Sequence, residues 1–231
     1  MTRVVRSILL LVAGAVVLSA CGLVPLPAPV AIDTAFGFED GVAVSLVGAA
    51  EASGAIAPAA VAASYAGAFN QAFVVNGADI PPILRTLVRI RAVTETITLG
   101  VSITVTNPTA ADFPAALTVS EASMSGLQVY RGTSRVAGPL SFSGIEDESI
   151  VYEGVADCTA VTSCTYAAAV LVDLLELRVS GRTASNLAKA IADGGTFRVE
   201  GTFGIVIESD PGLPADATVQ AVIVGTGAVV E

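Results

Sequence analysis

Histidine and tryptophan are absent from the 231 residues, and lysine occurs once, at Lys189. Without histidine there is no Ser-His-Asp or Cys-His nucleophile, and the commonest general acid-base group is gone. The glycine spacings of a P-loop or a dinucleotide-binding turn are missing as well. Catalysis would have to come from a pair of carboxylates, and no two of the 21 acidic residues are set apart by position. The expectation is a non-catalytic protein with no resident cofactor or metal. Four tyrosines and no tryptophan leave few rings on which sugars could stack.

Long apolar runs are confined to the start of the chain. Arg3 and Arg6 precede an apolar run from Ile8 to Leu18, followed by the small residues Ser19 and Ala20. That order of charge, apolar stretch and small residues is a secretory signal. The run Leu18-Ser19-Ala20-Cys21-Gly22 resembles the lipobox of bacterial lipoproteins, in which the cysteine is acylated, as with palmitate, and becomes the first residue of the mature chain. The resemblance implies a signal peptide over 1–20, export, and a lipid anchor on Cys21 at an outer membrane or cell surface, because Gly22 does not look like an inner-membrane retention signal. The alternative is an uncleaved membrane anchor. Its apolar stretch, from Ile8 to about Val24, lies at the short end of the roughly 20 residues a spanning helix needs, and Pro25, Pro27 and Pro29 close it. It also gives Cys21 no role. A cysteine carrying two or more acyl chains, at about 0.8 kcal/mol per buried methylene, is a stable anchor by itself.

Loss of residues 1–20 removes two arginines, leaves nine basic residues against 21 acids, and moves the formal charge from −10 to −12. Nucleic acid and anionic lipid surfaces are therefore disfavoured as partners. With Cys21 acylated, Cys158 and Cys164 remain as a pair in an oxidising compartment, six positions apart. A disulfide between them would contribute about 2 kcal/mol on the chain-entropy model, less if strained. Two thiols without histidine do not complete a usual zinc site.

The stretch 21–32, rich in proline, leucine and alanine, is expected to be a stiff tether, with one β-sandwich domain over 33–231. From Thr94 to Thr106, Ile97, Leu99, Val101, Ile103 and Val105 alternate with small or polar residues, the pattern of a long strand with one buried face. Phe197, Val199, Phe203, Ile205 and Ile207 form a second such face, with Gly201 in its register as at a bend or bulge. Weaker strands are expected at Val42–Val47, Leu84–Arg91, Leu117–Val119, Leu127–Arg131, Ile150–Glu153, Tyr166–Val172 and Val219–Val224. One helix is expected near 184–192, capped by Thr183 or Ser185 and ended by Gly194 and Gly195. The alanine-rich stretch 49–68 reads as loop with a strand at its end. The fold class is all-β, an antiparallel sandwich with one short helix.

The alternating strand runs into Asn107-Pro108, then Phe113-Pro114 and a new strand. With Leu174-Leu175-Glu176-Leu177, the helix to Gly195 and Phe197-Arg198-Val199-Glu200-Gly201, this is similar to the WHy domain of LEA14-like late-embryogenesis-abundant proteins over about residues 90–208. The resemblance implies a sandwich with a stress-protective or binding role and no catalysis. Asn-Pro is also ordinary turn chemistry, and the two readings stand side by side. Phe36-Gly37-Phe38-Glu39-Asp40-Gly41 looks like the opening strand of jelly-roll carbohydrate-binding modules, which stack sugars on exposed rings.

Glu146-Asp147-Glu148, and Asp210 with Asp216, are read as solvated acidic loops before they are read as calcium ligands. Arg85, Arg89 and Arg91 are expected on one strand face, paired with some of the many acids. The sequence thus describes a lipid-anchored envelope protein that acts through its surface, as a stress-protective or assembly module with an envelope protein partner. An envelope carbohydrate-binding module is the alternative, and any small-molecule ligand stays unspecified.

Overall fold

The computed structural model describes residues 24–25, 28–48, 61–85, 88–106, 116–144, 157–160, 163–167, 171–210, 213 and 218–231. In chain order the strands are β1 (Val24–Pro25), β2 (Val30–Ile32), β3 (Val42–Gly48), β4 (Val61–Val75), β5 (Val88–Arg89), β6 (Ala92–Thr106), β7 (Ala116–Arg131) and β8 (Ser134–Gly144). They continue as β9 (Asp157–Ala160), β10 (Ser163–Ala167), β11 (Leu171–Ser180), β12 (Gly195–Asp210) and β13 (Thr218–Val230), with the helix α1 (Gly181–Asp193) before β12.

The strands pair in the order β8-β7-β12-β4-β3-β13-β6-β10-β9, with β11 also on β6 and β2 on β13, and every pair along this path is antiparallel. The sheet turns its corner at β3, whose residues Val42 to Leu46 pair with β13 while Val47 and Gly48 pair with β4. The far end curls back so that β11 meets β8 and β7, nearly closing a barrel, and α1 lies against β8, β6 and β11. The core between the layers is built on Phe36, Phe38, Ile97, Leu99, Met124, Leu127, Phe197 and Phe203, none more than 1 % exposed. Each large apolar side chain taken from water contributes about 1.5–3 kcal/mol, and that drives the two layers together.

The two strong alternations are the strands that carry most of this core. Ile97, Leu99, Val101 and Ile103 of β6 are buried, as are Phe197, Val199, Phe203, Ile205 and Ile207 of β12. The other face of β6 is not freely solvated. Thr98 is buried and donates its hydroxyl to the Val224 carbonyl at 3.2 Å, and Thr96, Gly100 and Ser102 are half-buried. Gly201 does lie in the apolar register, against the Phe69 ring and Leu127, where a side chain would be crowded. The bulge there belongs to the partner. β7 carries one extra residue opposite Glu200–Thr202 and another opposite Val206–Ile207, so its buried side chains jump from Val119 to Ala122 and from Met124 to Leu127. The expected strands 117–119 and 127–131 are therefore the two ends of one.

The span 84–91 is not a strand. Pro82–Arg85 forms a 3₁₀ turn with Leu84 buried, and among the described residues of the span the strand is Val88–Arg89 alone, parallel to β1. Pro82 fixes a helical φ at the turn's first position and Pro81 has no N–H for a ladder, which together stop a strand from forming. Arg85, Arg89 and Arg91 accordingly share no strand face. The expected tether is also shorter than 21–32, because Val30–Ile32 pairs with Val230–Ala228 and Ile32 is buried.

Helix α1 begins at Gly181 after the extended Ser180, not at Thr183 or Ser185, and Gly194 ends it with its N–H on the Ile191 carbonyl. Leu187 and Ile191 face the core while Lys189 is exposed. Thirteen residues with two large apolar anchors would not stay helical alone, so packing holds α1.

Candidate functional site

Glu95 is the one acid on the buried face of β6, in register with Val93, Ile97 and Leu99, and it is 0 % exposed. Across from it the chain between β2 and β3 turns inward. Oε2 of Glu95 accepts from the Ala35 N–H at 2.7 Å, the Phe36 N–H at 2.9 Å and the Thr34 hydroxyl at 3.5 Å. The Thr34 hydroxyl oxygen in turn accepts from the Gly37 N–H at 2.6 Å. A carboxylate with a fan of backbone donors substitutes for the ladder that this loop cannot form, since its N–H groups are buried away from water.

The loop is fixed at its other end by the Phe38 carbonyl, which accepts from Gly41 N–H at 3.0 Å and Gly225 N–H at 2.8 Å. Phe36 and Phe38 are fully buried, and Phe38 meets Phe69 edge-on at 5.8 Å. Gly37, at φ +79°, turns the chain between them with the Phe73 ring where a side chain would lie. The Phe-Gly-Phe motif is therefore a core plug, and its rings are not available for stacking on a sugar.

The second carboxyl oxygen of Glu95, Oε1, is buried without a partner, as is Oε2 of Glu39. Oε1 lies directly over Gly225, where any side chain would collide with it and with Phe38. Burial pushes the Glu95 carboxyl up to about 7, opposed by the Ala35 and Phe36 N–H groups, reinforced by the negative charge of Glu39 and opposed again by the Thr34 hydroxyl.

On the outer side of Gly225 lies an open groove of about 630 Å³, bordered by Ile32, Asp33, Thr96, Thr226 and Gly227. It exists because β13 carries an extra residue between Gly225 and Ala228, and Gly227 takes φ +103° in that bulge. The Thr226 hydroxyl donates to the Thr96 carbonyl at 3.2 Å. Gly225 and the backbone separate the groove from Glu95, so in this conformation the acid meets no solute. It can hold the loop and it can take up a proton.

The described tyrosine side chains are engaged elsewhere. Tyr65 packs over Gly48, and the Arg198 guanidinium lies 4.6 Å from the Tyr130 ring centre while also pairing with Glu200. Among the described residues no group of three or more acidic or thiol side chains is placed to hold a metal. Cys158 lies on β9 and Cys164 on β10, which pair through Ser163↔Ala160 and Thr165↔Asp157, and both cysteines fall within the register shift between those two pairs. Cys21, Asn107, Pro108, Glu146-Asp147-Glu148 and Asp216, with the expected strand 150–153, lie outside the described residues, and Asp210 closes β12. No family model, curated protein or solved structure matches the chain.

Proposed function

We propose that the chain is a lipid-anchored protein of a bacterial cell envelope whose β-sandwich acts through its surface, as a stress-protective or assembly module without catalysis. The observation that carries this reading is the Leu18-Ser19-Ala20-Cys21-Gly22 sequence behind a basic and apolar leader. The absence of histidine and the enclosure of Glu95 support the non-catalytic part. Between an assembly module and a carbohydrate-binding one, the described rings favour assembly: Phe36 and Phe38 are core, Tyr65 and Tyr130 are half-buried against Gly48 and Arg198, and no described aromatic side chain borders the groove. Among the described residues no helix is long and apolar enough to cross a membrane.

Cys21→Ser is expected to abolish acylation and leave the protein uncleaved or soluble. Partitioning of the variant into a detergent phase to the same extent as wild type would reject the anchor. In the same compartment Cys158 and Cys164 are expected to be bridged across their hairpin. Alkylation of the unfolded, unreduced protein should then find neither thiol, and labelling of both would refute the bridge.

A further inference from the structure

We infer that the end of the sandwich formed by β1, β5 and the start of α1 is a basic surface that seats the domain on anionic lipid headgroups beside the acylated Cys21. The inference rests on the lipid-anchor reading and adds to it an orientation and a lipid class.

The placement comes from the backbone. β1 starts three residues after Cys21, a reach of at most about 10 Å. It lies parallel to β5, with Val24 beside Val88 and Pro25 beside Arg89, and paired strands are about 5 Å apart. Arg89 is thereby held next to the point where the chain meets the membrane. The Arg91 carbonyl accepts from the Gly181 N–H at 3.1 Å, which brings Arg182 to the same end, and the 3₁₀ turn that closes with Arg85 packs on α1.

The charge pattern fits that placement. The stretch from Ile80 to Thr94 holds Arg85, Arg89 and Arg91 and no acid, a third of the nine basic residues after Cys21, and residues 22–32 carry no charge. Arg131 pairs with Asp193, Arg178 with Glu231 and Arg198 with Glu200, while Arg135 donates to the Gln128 side chain. Arg91 and Arg182 are exposed and make no ion pair among the described residues. Glu231 lies at this end, its carboxylate held by Arg178 at 3.0 Å and its main-chain oxygen accepting from the Arg91 N–H.

Screening reconciles this surface with an acidic protein. At physiological salt a charge is felt over about 8 Å, so arginines beside the anchor sense the headgroups while most of the acids do not. The net charge of −12 disfavours binding of the unanchored domain to anionic lipid, and the anchor supplies the proximity that lets the local charge act.

The test uses the full acylated protein in phosphatidylcholine vesicles with and without phosphatidylglycerol, read by flotation and by backbone amide exchange over 82–94. Flotation with both vesicles and exchange slowed severalfold only where phosphatidylglycerol is present are expected. High salt, or the combined substitution Arg85→Gln, Arg89→Gln and Arg91→Gln, should remove the slowing and leave flotation intact. Equal exchange on the two vesicles with flotation intact overturns the basic surface alone. Failure to float with either vesicle overturns the anchor and this inference with it. The wild-type comparison decides the matter even if the triple variant does not fold.

Discussion

Replacing Glu95 by alanine should destabilise the domain by about 3–5 kcal/mol near pH 5, because it leaves the Ala35 and Phe36 N–H groups buried without an acceptor and opens a cavity behind Gly225. Glu95→Gln keeps an acceptor for both donors and should cost about 1 kcal/mol or less there. The pH dependence separates charge from shape. A carboxyl raised from 4.5 to about 7 binds its proton more tightly in the folded chain than in the unfolded one. Its contribution is therefore complete below pH 4.5, falls as pH rises to about 7, and is then flat. The loss is of the order of 3 kcal/mol at roughly 1.4 kcal/mol per pH unit. With no histidine in the chain, no other side chain has its ordinary midpoint between about pH 5 and 7. Urea unfolding near pH 5 and near pH 8 should show wild type losing stability on the alkaline side, with Glu95→Gln flat and the more stable of the two there. A wild-type stability that is level or rising across the interval would contradict the buried, proton-binding role of Glu95.

Val101→Asp should cost at least about 4 kcal/mol, enough to unfold a marginal domain. Val101 is 4 % exposed in the middle of β6, and the new carboxylate would have no partner. Ser102, one residue along, turns to the opposite face between Gln220 of β13 and Ala167 of β10 and is half-buried. Ser102→Asp should cost about 1 kcal/mol, more than at an open surface site and far less than at Val101. Thermal melts of the two variants measure the pleat directly. Equal losses would mean that both faces of β6 are core, and equal tolerance would mean that neither is.

What could be read from the residues followed the size of the inward side chains. β6 and β12 were legible because large apolar residues recur at every second position, and α1 because Leu187 and Ile191 recur at a helical spacing before Gly194. β4 was legible only as a strand at the end of the alanine-rich stretch 49–68, with neither its length nor its partner, although it makes fifteen consecutive pairs with β12. Its first half reads Val61-Ala62-Ala63-Ser64, and small residues show no period until Phe69 and Phe73. β8 is the outermost strand on its side, buries Ala137 alone and contains Pro139, so no apolar face marks it.

The site was half visible. An acid in phase with Val93, Ile97 and Leu99 is a detectable break in an apolar register, and extending the alternation two residues upstream would have exposed Glu95. Its partners could not be inferred, because Ala35 and Phe36 are about sixty positions away and only the closed sheet brings them there. The Phe36-to-Gly41 motif stood out for its rings, but its use here lies in the backbone N–H groups at its head. The groove depends on one extra residue in β13, which no local pattern announces.

The anchor at Cys21 is tested most directly by the mass of the N-terminal peptide from protein extracted out of native membranes. The account predicts a peptide that begins at Cys21 and carries a thioether-linked diacylglyceryl group, with no trace of residues 1–20. A peptide that retains the leader, or one that begins elsewhere with Cys21 unmodified, would contradict it.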